Sequence, residues 1–341
     1  MENETGDFFR GKKILITGGA GSIGSEILRA LLIYEPKSVR VLDQNESRQF
    51  ELKNELKSHR NISFLIGDIR DRNRVIMTIE DIDIVFHAAA LKHVPLCEYN
   101  PFEATKTNVI GTQNVIDAAL HEEVEKMITI STDKAVNPIN VMGATKLLAE
   151  RLTIAANYYK GNRKTAFSCV RFGNVLDSSG SIIPLLKKQI EQGGPVTITD
   201  HRMKRFVMNI PKAIELVLRA TKKTRGGEIF IFKMPLMHIK DLAELMIEEL
   251  APKHGYKPDD IKTEIIGIRP GEKISEELVT KEECCHMEEE NEMFKIDSMI
   301  NLFGKPNKTA KFGNEKYCDV EGGRLLSKAE IKKLLIESNI L

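Results

Sequence analysis

The chain has 341 residues, 42% of them hydrophobic and 29% charged, with 50 Lys plus Arg against 49 Asp plus Glu and a formal net charge of +1. That length suits one large domain or a large one with a smaller appendage, and the apolar share excludes wholesale disorder and fibrous or collagen-like architectures. The even balance of charge carries no one-sided basic stripe of the sort that phosphate-backbone binding needs, so no nucleic-acid partner is expected.

The opening residues, Met1 to Asp7, are acidic and lack the basic and apolar regions of a secretory signal. No apolar run approaches the roughly 18 to 20 residues needed to cross a bilayer, so no membrane span and a soluble, cytoplasmic protein are expected. The first strand is expected at Lys12–Thr17, a short apolar run rich in β-branched residues, closed by Gly18-Gly19-Ala20-Gly21-Ser22-Ile23-Gly24. Ile27, Leu28, Leu31 and Leu32 then recur at helical spacing through Glu26–Tyr34, and Pro36 marks the end. Further apolar strands are expected at Val39–Asp43, Ser63–Ile66, Ile82–His87, Lys126–Ile130 and Ala166–Phe172, separated by helical stretches.

Continuous apolar strands alternating with helices imply an α/β fold, a doubly wound parallel sheet of the Rossmann type, because each strand is buried on both faces and each crossover needs a helix. From about Gly173 the pattern changes to shorter elements between loops: Ser178-Ser179-Gly180-Ser181, Gly193-Gly194-Pro195, Pro211, Gly226-Gly227 and Arg269-Pro270-Gly271. Residues 11–173 are therefore assigned mainly to a dinucleotide-binding domain. Residues 174–341 are assigned mainly to a smaller lobe interleaved with the sheet, with helices at Ile239–Leu250 and Lys328–Glu337. Cys284–Glu290 reads as a charged, exposed loop. The five cysteines, Cys97, Cys169, Cys284, Cys285 and Cys318, include one vicinal pair and no C-x-x-C, which fits neither a disulfide framework nor a zinc site. No metal is expected, and His87 and His93 are read as structural.

Gly18-x-x-Gly21-x-x-Gly24 between a strand and a helix is the context that gives this pattern meaning. The glycines permit a tight turn, close approach of backbone to a pyrophosphate, and packing of helix on strand, while the helix N-terminus offers N–H groups to the phosphates, including those of Ser22 and Ile23. Asp43, 19 residues past Gly24, closes the second strand where a carboxylate meets the adenosine ribose hydroxyls. It favours NAD over NADP, since it repels a 2′-phosphate, although Arg48 nearby is a group that suits NADP. Asp68 and Ile69 stand where an adenine edge is read, and Ala88-Ala89-Ala90 after His87 are small enough to pass beneath a flat cofactor.

The fifth strand runs into Ser131-Thr132-Asp133-Lys134, and the next helix carries Met142-x-x-x-Lys146. With the glycine turn, this arrangement resembles the extended short-chain dehydrogenase/reductase superfamily, with Met142 where a tyrosine is customary. The strings Ala88-Ala89-Ala90-Leu91-Lys92-His93-Val94-Pro95, Ser131-Thr132-Asp133-Lys134-Ala135-Val136-Asn137-Pro138, Asn140-Val141-Met142-Gly143-Ala144-Thr145-Lys146 and Arg171-Phe172-Gly173-Asn174-Val175-Leu176 resemble the UDP-N-acetylglucosamine 4,6-dehydratases of polysaccharide and glycan biosynthesis. Thr199-Asp200, Arg205-Phe206 and Ile268-Arg269-Pro270-Gly271-Glu272-Lys273 extend the resemblance, which runs from about residue 11 to about 280.

The resemblance implies a lyase that oxidises C4 of the hexose with tightly bound, internally recycled NAD, removes the C5 proton, expels the C6 hydroxyl as water and returns the hydride to C6. It places Thr132 at O4, Asp133 as general acid at O6, Lys134 as the C5 base and Lys146 on the nicotinamide ribose. Without a tyrosine, the O4 proton goes to Thr132 through a water or to Asp133 doing two jobs. For UDP-N-acetylglucosamine it implies Arg205 and Arg269 on the pyrophosphate, Asn174 on the substrate, Lys92 near the sugar, and Glu272 near the uridine ribose. Asp177, where glycine is usual, and Lys204, where threonine is usual, depart from the pattern. A homo-oligomer, at least a dimer, is implied as well. The competing readings are a UDP-sugar C4 or C5 epimerase of the same superfamily and a non-catalytic dinucleotide-sensing protein.

Overall fold

The computed structural model describes residues 2–178, 180–297 and 323–341. Ser179 of the expected loop and Cys318 lie outside the described residues. In chain order the elements begin with α1 (Glu2–Phe9), β1 (Lys13–Thr17), α2 (Ser22–Leu32), β2 (Ser38–Asp43), α3 (Glu46–Glu55), β3 (Ile62–Ile66), α4 (Arg72–Ile79) and β4 (Ile84–His87). Next come α5 (Val94–Tyr99), α6 (Pro101–Thr105), a π-helical turn at Lys106–Gly111, α7 (Thr112–His121), β5 (Lys126–Thr132), a 3-10 turn at Asp133–Ala135, α8 (Val141–Tyr159) and β6 (Ala166–Phe172). The remainder comprises β7 (Asn174–Val175), α9 (Ile182–Glu191), β8 (Val196–Ile198), β9 (Lys204–Met208), α10 (Ile210–Lys223), β10 (Ile229–Phe232), β11 (Leu236–His238), α11 (Ile239–Leu250), β12 (Thr263–Ile265), α12 (Lys281–Cys284), β13 (Met287–Glu290), β14 (Met293–Ile296) and α13 (Lys328–Glu337).

Nine strands form one sheet in the order β13-β14-β10-β6-β5-β4-β1-β2-β3. Pairing is parallel from β3 to β10, and β14 and β13 close the far edge antiparallel. This is the expected doubly wound α/β sheet, with its order reversing between β1 and β4, where the C-terminal strand ends open a crevice. The central strands pay for their position with apolar side chains: every residue of β4 and of β6 is buried. One apolar layer packs α2 and α10 against the sheet and the other packs α4 and α7. A separate cluster joins α9, α11 and α13 around Leu186, Leu242, Met246 and Leu335.

Two expectations change. The ordered chain starts before Lys12, because α1 drives Phe9 into the core against Tyr34 and Phe86, at ring separations of 6.1 and 6.2 Å. Cys284–Glu290 is no loop: Thr280 and Glu283 form a capping box that starts α12, Cys284 is buried, and β13 becomes the sheet edge. Its acidic residues sit on an edge strand paired with Lys233, Lys223 and Lys295, charges that also discourage edge-to-edge association.

Candidate active site

The glycine turn crosses the end of β4. Gly18 has φ +67° and hydrogen-bonds to the Leu42 carbonyl, and a Cβ on it would lie 2.6 Å from the Ala89 backbone. Ala88 and Ala89 are thus pressed against the turn. Gly24 packs on the Gly18 carbonyl, and among the described residues no side chain caps α2 at Gly21, so the positive end of the helix, with Ser22 and Ile23 in its first turn, faces the exposed turn as a cradle for phosphate. Asp43 ends β2 beside it, accepting the Ala20 N–H at 3.0 Å and the Asn45 N–H at 2.9 Å. Arg48 points instead to Glu51, at 2.9 Å. Asp68 is held by Arg70, and the buried Ile69 packs on Gly111. An uncapped helix end, a turn with no room for a side chain, and a carboxylate at the second strand fit a dinucleotide.

His87, at the end of β4, is buried between two hydroxyls: Thr17 Oγ1 lies 2.7 Å from Nδ1 and Thr112 Oγ1 lies 2.9 Å from Nε2. Burial, assisted by nearby Lys146, drives its pKa from 6.5 down to about 3, so the ring is neutral and ties β1, β4 and α7 beneath the cradle. Lys146 is buried on α8 and donates to the Ile130 carbonyl at 2.7 Å; burial lowers its pKa. Met142 is enclosed by Cys97, Ala104, Leu91 and Val94 and serves as packing.

Beyond β5 the chain turns through Thr132, Asp133 and Lys134. Thr132 donates its hydroxyl to Asp133 Oδ1 at 2.8 Å, and Lys134 Nζ lies 2.9 Å from the same oxygen. Nζ also donates to Asn174 Oδ1 at 3.3 Å, which joins an expected substrate residue to the cluster. Asp133 is wholly buried while Lys134 retains 19% side-chain exposure, so the amine is the charged group that reaches the cleft. Gly173 makes this burial possible: a Cβ there would stand 2.6 Å from Phe206 and 3.1 Å from Asp133 Oδ2.

Residues 269–277 fold over this turn. Asn140 donates to the Gly271 carbonyl at 2.8 Å and Lys273 to the Val136 carbonyl at 2.9 Å. Arg205 is buried, donates to the carbonyls of Lys204 and Ile274 at 2.8 and 3.1 Å, and pairs with Glu272 at 3.5 Å. Arg205 and Glu272, both expected on the substrate, are therefore adjacent; the exposed Arg269 opens the turn that carries Glu272, its N–H 3.3 Å from Glu272 Oε2, and Lys92 is exposed just ahead of α5. His93 lies against Gly180, next to Lys92.

Sequence reasoning missed Glu276 and the partners of Arg171. Glu276 is buried, with Oε1 3.8 Å from Lys134 Nζ and, among the described residues, no hydrogen-bond partner on Oε2. Arg171 is buried between Glu150, at 2.7 Å, and Glu283, at 2.8 Å, bracing β6 against α8 and α12. Nothing local marks which carboxylates of a charged stretch turn inward.

The polysaccharide biosynthesis protein family matches residues 14–298. A UDP-N-acetylglucosamine 4,6-dehydratase (inverting) of Campylobacter jejuni is 44% identical over 86% of this chain and 85% of its own. An uncharacterised membrane protein of Methanocaldococcus jannaschii is 59% identical over 100% of both chains, although among the described residues no helix here is long and apolar enough to cross a membrane. The X-ray structure of Pen from Bacillus thuringiensis is similar with a TM-score of 0.90 and 46% identity, covering 98% of this chain and 99% of that one. With a match spanning most of its length and such relatives along nearly all of it, this chain belongs to the polysaccharide biosynthesis protein family, alongside the UDP-N-acetylglucosamine 4,6-dehydratases that its motifs resemble.

Proposed function

We propose that the chain is a UDP-N-acetylglucosamine 4,6-dehydratase, a hydro-lyase that converts its substrate to a UDP-4-keto-6-deoxy-N-acetylhexosamine. The observation that carries this reading is the hydrogen-bonded Thr132–Asp133–Lys134 cluster at the end of β5, which supplies a hydroxyl, a carboxyl and an amine together. Residues 11–173 mainly hold the dinucleotide, and residues 174–341 mainly hold the nucleotide sugar. The glycine turn and Asp43 hold NAD, which when bound takes a hydride from C4 and gives it back at C6.

The chain's own residues move the protons. Thr132 links the cleft to the buried carboxylate, so an O4 hydroxyl bonded to Thr132 passes its proton through that hydroxyl to Asp133. Asp133 thus does two jobs, since the same proton then leaves with the C6 oxygen as water. Lys134, the less buried of the two charged members, takes the C5 proton once the C4 ketone has acidified it and later returns a proton to C5. Arg205, Arg269 and Glu272 serve the UDP portion, Asn174 and Lys92 the sugar, and Lys146 the cofactor ribose.

Incubation with UDP-N-acetylglucosamine and mass spectrometry of the product tests this: loss of one water is expected, unchanged mass with altered configuration indicates an epimerase, and NAD binding without turnover indicates a sensor. Asp133→Asn and Lys134→Ala should each abolish the 4-keto product with NAD still bound, and full activity in either overturns the assigned roles. Reaction in deuterated water, read by NMR at C5, reports the face that is reprotonated.

A further inference from the structure

The proton count of the reaction does not close on Asp133 and Lys134 alone. Asp133 must begin as a carboxylate to receive the O4 proton, and Lys134 must be a neutral amine to take the C5 proton. In the structure the two form an ion pair, Nζ to Oδ1 2.9 Å. That pair holds one proton more than the working state, and the surplus sits on the group that has to act as a base.

A third site stands beside it. Glu276 is 4% exposed, places Oε1 3.8 Å from Lys134 Nζ, and leaves Oε2 buried without a hydrogen-bond partner among the described residues, as is Asp133 Oδ2. An ionised carboxylate with an unpartnered buried oxygen is costly, and a carboxylic acid much less so. We propose that Glu276 is a positioning residue that takes the surplus proton of Lys134, converting carboxylate and ammonium into carboxylic acid and free amine when substrate fills the cleft. The bond broken is N–H on Lys134 and the bond formed is O–H on Glu276, once Nζ swings from 3.8 Å to hydrogen-bond distance of Oε1; no proton enters or leaves the cluster. Asp133 stays ionised for the O4 proton because its Oδ1, unlike either oxygen of Glu276, is within hydrogen-bond distance of two donors, Thr132 and Lys134, and Lys134 carries its lone pair to C5.

The surroundings support the exchange. Facing Glu276 are Lys134 and Asp133 from the 3-10 turn, Arg205 from β9 and Lys273 from its own segment. Arg205 is engaged by Glu272 and two carbonyls, and Lys273 by the Val136 carbonyl, so both cations have other partners. Burial raises the Glu276 pKa and the Asp133 charge reinforces it, while Lys134, Arg205 and Lys273 oppose it without reversing the direction. Displacement of water by the sugar deepens that burial.

The inference rests on the dehydratase reading, and the pH profile of kcat for wild type, E276Q and E276D separates the two. Wild-type enzyme is expected to show a plateau around neutrality, because the exchange is internal. E276Q keeps the shape of the acid but has no site for the proton, so its kcat should rise about tenfold per pH unit through the same range, with KM little changed. E276D keeps a proton site one methylene back and should restore the plateau at a lower rate. If wild type dehydrates UDP-N-acetylglucosamine and folded E276Q has the same profile, or is inactive at every pH, Glu276 has no such role. A sloping profile in E276D likewise overturns it, which keeps the test intact should E276Q fail to fold. Wild type that removes no water overturns the dehydratase reading itself.

Discussion

Lowering the pH from 7 to 5 should weaken this protein through one buried ring. His87 has its pKa pushed from 6.5 to about 3 by burial and by Lys146, so folding excludes a proton that the unfolded chain accepts. A depressed pKa makes the stabilisation present in full above the unfolded value and loses it as pH falls toward the folded value. At pH 5 an unfolded histidine of pKa 6.5 gains about 2 kcal/mol from protonation, against about 0.2 kcal/mol at pH 7, so His87 alone removes about 2 kcal/mol over that interval. The ceiling, from the gap between 6.5 and about 3, is about 5 kcal/mol, but below pH 5 carboxylates titrate too and the upper interval isolates the ring. Replacing it by glutamine keeps an amide between Thr17 and Thr112 and removes the titration. Urea unfolding is best followed by far-ultraviolet circular dichroism, because the chain has no tryptophan. Wild type should lose about 2 kcal/mol more than H87Q between pH 7 and 5. Equal losses would mean that the protonated ring is accommodated, and the account of a sealed site beneath the cradle would be wrong.

Two further substitutions probe the cradle and the missing phenol. Gly18→Ala puts a Cβ 2.6 Å from the Ala89 backbone at φ +67°, so NAD affinity by titration should fall at least about 100-fold, and binding at wild-type strength would refute the close crossing. Met142→Leu conserves volume in a closed apolar cluster and should cost less than about 1.5 kcal/mol by thermal unfolding, with kcat within about twofold; a large loss of kcat in a stable variant would show that the sulfur takes part in the chemistry.

The parallel sheet, the glycine turn and the order Thr132-Asp133-Lys134 were legible in the sequence because each is a local pattern: strand runs buried on both faces, a turn that only small residues can make, and consecutive functional groups. The helix Ile239–Leu250 and the terminal Lys328–Glu337 were legible for the same reason, in their 3.6-residue period. The N-terminal α1 escaped notice because Phe8 and Phe9 gain their meaning only from Tyr34, Phe86 and Lys126 across the fold.

Tertiary structure alone decided which charged groups share a low-dielectric pocket. Nothing in the sequence distinguishes Glu276, buried beside Lys134, from Glu277, which reaches Asn137 on the surface. Nor does it pair Arg171 with Glu150 and Glu283, at sequence separations of 21 and 112 residues. Covalent order brings Thr132, Asp133 and Lys134 together at no cost in chain entropy, whereas the fourth group comes from a segment more than a hundred residues away. It arrives because Asn140 and Lys273 dock that segment over the turn, and its burial, which depends on every neighbour at once, sets where its proton resides.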